Sequence, residues 1–169
     1  MRRDLAAVLF AALLATTAAA QAADDDDDKT STTPAMLTKL LDKEKLTYQQ
    51  DEDRLRRTYS FTDGRSQQVF LQPQSDMREV GIVEVYSWVM EVKGKITPAL
   101  ASRLLEVNGE QKLGYFGTEE VEGKTYVFCY HNLPTEGLTS KALAATLISV
   151  AEMADEMEKE QLGASSDEY

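Results

Sequence analysis

The alternation of apolar and polar residues is clearest in residues 80–92, VGIVEVYSWVMEV. Strict alternation puts Ile82, Tyr86, Trp88, Met90 and Val92 on one face with Glu84. Val83, Val85 and Val89 then share the other. A strand that is apolar on both sides belongs at the centre of a sheet with both faces covered. Residues 55–61 also alternate: Leu55, Tyr59 and Phe61 share a side, and Arg57 interrupts it. Asp63-Gly64 then predicts a hairpin. The return strand, 66–72, has Val69 and Leu71 on one side and Phe70 on the other. Pro73 predicts the end of that strand or a sheet edge. Residues 47–51 predict a short extra strand, and 112–121 with 124–131 predict a second hairpin about Glu122-Gly123.

Three helices separate these strands. Thr33-Pro34 and Thr97-Pro98 are matching starts, a threonine cap followed by a proline that suits the first turn. The first helix shows Leu37, Leu40 and Leu41 on one side and runs to about Lys45. The second places Leu100, Ala101, Leu104, Leu105 and Asn108 together, and Asn108-Gly109 predicts its end. The third starts at Thr139, with Leu138 and Leu143 spaced as a hydrophobic staple. Its apolar side is Leu143, Leu147, Val150, Ala151, Ala154 and Met157. The prediction is an α+β fold: an antiparallel sheet of about five strands with three helices, in the order α-β-β-β-(β)-α-β-β-α.

Residues 97–116, TPALASRLLEVNGEQKLGYF, join a helix through Asn-Gly to an aromatic strand. This junction, together with the element order over residues 34–161, resembles the YbjN family, whose fold is that of type III secretion chaperones. In that family a helix ends near an Asn and an LG-x-F strand follows, here Asn108, Leu113, Gly114 and Phe116. The resemblance implies an antiparallel sheet with helices on one face. It also implies that the other face, or a helix edge, forms a dimer or receives an extended peptide.

The ends of the chain have a different character. Arg2 and Arg3 precede an apolar run, and Ala20-Gln21-Ala22 offers a small-x-small cleavage site. Residues 1–22 therefore read as a signal peptide, too short in its apolar part for a spanning helix. Residues 23–33 read as an acidic disordered spacer carrying Asp24 to Asp28 and Lys29. DDDDK also matches a cleavage sequence of expression tags. Residues 162–169 read as a disordered acidic tail. The formal net charge is −11, which disfavours nucleic acid and anionic lipid and favours solubility and a basic partner.

Little in the sequence points to catalysis. Cys129 is the only cysteine, so no intramolecular disulfide forms, and its strand pattern predicts a buried thiol. His131, the only histidine, stands two residues on, on the same side of the strand. No third group at a recognisable spacing orients its ring, and two ligands do not make a zinc site. Gly109, Gly114 and Gly117 form no phosphate loop. The acidic residues lie mainly in the tails and on expected outer helix faces. No cofactor and no metal are expected. Aromatic residues on the second sheet face remain: Tyr86, Trp88, Tyr126 and Phe128 are the partner-binding candidates.

The leading expectation is an exported, periplasmic or secreted, non-catalytic protein- or peptide-binding module of the bacterial envelope. Its partner would be a second copy or a client segment. Secretion chaperones act in the cytosol, so an exported relative would share the fold without the client. The alternative is a small exported hydrolase using Cys129 and His131.

Overall fold

The computed structural model describes residues 33–77, 80–165 and 167. The predicted signal peptide and all of the spacer before Thr33 lie outside these residues. The elements are α1 (Pro34–Lys43), β1 (Gln49–Asp51), β2 (Arg54–Ser60), β3 (Ser66–Met77), β4 (Val80–Val92), α2 (Pro98–Glu110), β5 (Tyr115–Val121), β6 (Lys124–Pro134) and α3 (Ser140–Leu162). The strands form one antiparallel sheet in the order β1-β2-β3-β4-β6-β5, an α+β architecture with β4 inside, as its two apolar sides require. The sixth strand is the short β1.

The helices begin where their caps predict. Thr33, Thr97 and Thr139 each accept a bond from the backbone N–H three residues on. α3 lies across β3, β4 and β6, α1 packs on α3, and α2 packs on β5. Leu37 and Leu41, then Leu143, Leu147, Val150, Ala151, Ala154 and Met157, fill the main core against Leu55, Val69, Leu71, Val83 and Val85. α2 ends two residues later than Asn108-Gly109 suggests, with Gln111 as its cap. Its buried residues are Leu104 and Val107, whereas Leu105 is 71% exposed. Leu105 is one residue on from the contact line to β5, so it points away.

A β-bulge changes the phase of β4. Trp88 pairs with Phe128, but Met90 pairs with Val127, so Val89 has no partner of its own. One extra residue reverses every side chain after it. Met90 and Val92 therefore join Val83 and Val85 in the main core, not Tyr86 and Trp88. Glu91 turns to the far face, where it meets Lys124 at 2.9 Å. Beside the bulge the β3–β4 ladder stops at Phe70–Tyr86, and side chains take over. The Gln67 amide donates to Ser87 Oγ at 2.9 Å and to the Trp88 carbonyl, while Ser87 Oγ donates to the Gln68 carbonyl at 2.6 Å. Gln67 and Ser87 are fully buried, so these bonds offset a desolvation cost of about 1–3 kcal/mol per polar group.

Pro73 lies within β3, opposite Val83, and does not end the strand. β2 begins at Arg54 and its last pair with β3 is Leu55–Leu71, so past that point β3 is itself an edge. Proline is tolerated there because no neighbour needs its missing N–H.

The acidic residues are not all outside. Arg65, at the start of the hairpin's return strand, reaches α3 and donates to Asp155 at 2.6 Å and Glu158 at 2.8 Å. All three residues are buried. Removing the guanidinium would leave buried carboxylates without it, at a cost of about 3–5 kcal/mol. Beside this cluster Lys159 pairs with Asp63, and Asp167 accepts from the Ser66 N–H at 3.1 Å. Together these contacts fasten the β2–β3 hairpin to the end of α3.

The β5–β6 turn stores strain. Glu122 has φ +53 and Gly123 φ +79, the pair of left-handed residues that a tight two-residue hairpin needs. Glycine adopts this freely, but glutamate does not. We expect Glu122→Asn to raise the unfolding free energy by about 0.5–1 kcal/mol in urea titrations. A loss of stability would contradict the turn geometry.

Candidate binding face

The helices occupy one side of the sheet. On the other side lies a second cluster made only of strand residues among those described. Phe70, Tyr86, Phe128 and Tyr130 are buried there, with Trp88, Val121 and Tyr126 partly buried around them. Strand register brings the rings together. Tyr86 stands between Phe70 and Tyr130, and Trp88 faces Phe128. Phe70 and Tyr86 stack at 5.1 Å, and Phe128 and Tyr130 at 5.4 Å. Trp88 lies 4.4 Å from Phe128 and meets Tyr126 edge-on at 4.8 Å. Each such pair contributes about 0.5–1.5 kcal/mol beyond its burial.

Tyr86, Trp88, Tyr126 and Phe128, the four residues expected to bind a partner, thus belong to one aromatic cluster. Tyr86 and Phe128 are only 7% and 2% exposed, so Trp88 and Tyr126 are the two that reach its surface. Phe70, Tyr130 and Tyr115 extend it and were not singled out from sequence. Tyr115, 43% exposed, stacks on Tyr130 at 5.5 Å. Gly117 leaves room for this row, because a Cβ there would stand 3.3 Å from the Tyr130 ring. The signal for the extra residues is register: Phe70 and Tyr130 flank Tyr86 from the neighbouring strands, and Tyr115 pairs in turn with Tyr130.

The charges around this surface are segregated. On the β2 side, Arg54 lies 5.0 Å over the Phe70 ring and donates to the Tyr86 hydroxyl at 3.3 Å. Arg56 follows two residues on along the same strand side, bonded to Gln49 and Gln68. On the side of β4, β6 and β5 stand Glu84 and Glu119. Burial, reinforced by the Glu119 charge, pushes the Glu84 carboxyl above its ordinary range. Burial also raises Tyr86, against the effect of Arg54. Tyr130 is raised by burial first and then by the Glu119 carboxylate near its hydroxyl.

Cys129 and His131 lie on the helix side instead. Cys129 is fully buried, and burial pushes its thiol up to about 12. Such a sulfur is a protonated core group, not a thiolate nucleophile. The His131 Nδ1 accepts the Gly114 N–H at 2.8 Å, and burial pushes the ring below its ordinary value. That bond requires Nδ1 without a proton, so His131 positions the start of β5.

The junction residues have the same positioning part. Asn108 donates to the Phe116 carbonyl at 3.0 Å and accepts the Phe116 N–H at 2.6 Å. Its amide therefore acts as a one-residue strand partner on the outer edge of β5. Gly114 has φ +79, and a Cβ would stand 3.0 Å from the Tyr130 carbonyl and 3.3 Å from the Met153 sulfur. Leu113 is half exposed where α2 gives way to β5.

Among the described residues, no group of three or more His, Cys, Asp or Glu side chains could hold a metal ion. No helix among them is long and apolar enough to cross a membrane. No family model matches the chain, and no curated protein matches it.

We expect a thiol reagent to leave Cys129 unmodified in the native protein and to label it fully after denaturation. Rapid native-state labelling, followed by mass spectrometry, would contradict its place in the core.

Proposed function

We propose that this protein is an exported, non-catalytic protein- or peptide-binding module of the bacterial envelope, chaperone-like in fold and related to the YbjN family. We further propose that it binds through the aromatic face of its sheet. The observation that carries the reading is the ring cluster about Tyr86, Trp88, Tyr126 and Phe128, on the side of the sheet opposite the helices. Aromatic groups of this kind, surrounded by polar residues, are the usual anchors of protein interfaces. Export rests on the n-region, apolar run and cleavage site of residues 1–22. The buried, protonated Cys129 weighs against the hydrolase alternative.

The simplest occupant is a second copy. A two-fold axis running diagonally across the strands, between the facing sheets, would set the Arg54 corner of one copy over the Glu119 corner of the other. Arg54 would then face Glu119 twice, and the partly exposed Trp88 and Tyr126 would be covered. A stable interface of this kind covers about 800 Å² per partner. Apolar burial supplies about 25 cal/mol per Å², from which the cost of association is subtracted.

Light scattering of the mature protein at micromolar concentration tests this. We expect a dimer, which Arg54→Glu and Glu119→Arg each weaken and which the two together restore. A monomer at every concentration, or single variants that associate like the parent, would refute the dimer.

A further inference from the structure

A separate surface lies on the helix side. Where α2 ends beside α3, a groove of about 420 Å³ opens, and a hollow of about 190 Å³ continues it. The floor is apolar: Met153 and Met157 from α3, Val107 from α2, and Phe116 from β5. Leu113 stands at the mouth, 50% exposed. Ile148, 43% exposed, lies one turn before Glu152 along α3.

The rim is acidic in balance. Glu110 stands on the α2 side with Lys112 just beyond it, and Glu152 and Glu156 on the α3 side, so the carboxylates outnumber the one lysine. Arg103, which lines the hollow, is already paired with Glu160. These three exposed carboxylates have no ion-pair partner among the described residues, whereas Glu160 further along is held by Arg103 at 2.7 Å. An apolar floor under a rim of net negative charge complements an apolar stripe flanked by basic residues. Methionine side chains adapt to varied apolar surfaces.

The β5 edge narrows the choice of ligand shape. Asn108 already occupies the outward N–H and carbonyl of Phe116, so an extended peptide cannot add to the sheet there. The occupant must enter with side chains, not backbone.

We propose that this groove docks a cationic amphipathic helix of a partner protein, whose apolar stripe enters between α2 and α3 while its flanking Lys or Arg residues meet Glu110, Glu152 and Glu156. The inference goes beyond the aromatic-face reading. The two surfaces lie on opposite sides of the sheet, so each stands or falls alone.

The test uses the full chain and a fluorescent Leu/Lys peptide patterned as an amphipathic helix. A scrambled peptide of identical composition is the control. Fluorescence anisotropy should show saturable binding of the patterned peptide and at least about tenfold weaker binding of the scrambled one. Glu152→Gln with Glu156→Gln should weaken the patterned peptide about tenfold. Both positions are exposed, so circular dichroism should match the parent, and each single variant serves if it does not. Trp88→Ala should leave this binding unchanged. Equal binding of both peptides, no binding, or full binding by the glutamine variants would overturn the proposal. Loss of the dimer with retained peptide binding would count against the aromatic face alone.

Discussion

The extra residue at Val89 in β4 is the constraint on which the two-sided architecture depends. Before the bulge, Val83 and Val85 face the helices while Tyr86 and Trp88 face away. After it, Met90 and Val92 face the helices and Glu91 faces away. Without the phase change, Met90 and Val92 would leave the core and Glu91 would enter it. Gln67 and Ser87 make the bulge tolerable by taking over hydrogen bonds where β3 and β4 part. One strand can then support a helical core along its whole length and an aromatic row on the other side.

The remaining polar contacts of the fold serve the same end. Arg65 ties the β2–β3 hairpin to α3 through Asp155 and Glu158, so the far end of the sheet cannot swing from the helical layer. Asn108 holds the opposite edge, where β5 would otherwise present the Phe116 backbone to solvent or to another chain. His131 fixes the entry to β5 through Gly114. The aromatic face and the groove beside α2 are the two side-chain surfaces that this frame presents.

Much of this was legible in the sequence because it is local. Threonine caps, proline at the first turn, the Asp63-Gly64 and Glu122-Gly123 turns and the spacing from Leu143 to Met157 each specify their element within a few residues. The order of elements and the α+β class follow from them. What was not legible depends on partners distant in sequence. Strict alternation cannot place a bulge, although Glu91 between Met90 and Val92 was a sign that the phase must change. Asp155 and Glu158 read as outer-face acids because their partner, Arg65, lies some ninety residues away. Asn108 read as a helix terminator because its bonds to Phe116 form only when β5 is in place. For the candidate face, alternation named four rings, and pairing between strands supplied Phe70, Tyr115 and Tyr130.

The central claim is that the sheet face bearing Trp88 is a recognition surface. Trp88 is the only tryptophan, so its fluorescence reports that face alone. The most direct measurement is quenching of its emission by acrylamide across a dilution series spanning the association seen by light scattering. On this account quenching is efficient in the dilute monomer and falls, with a blue shift of the emission, as the complex forms. Association with unchanged quenching of Trp88 would place the contact elsewhere and contradict the claim.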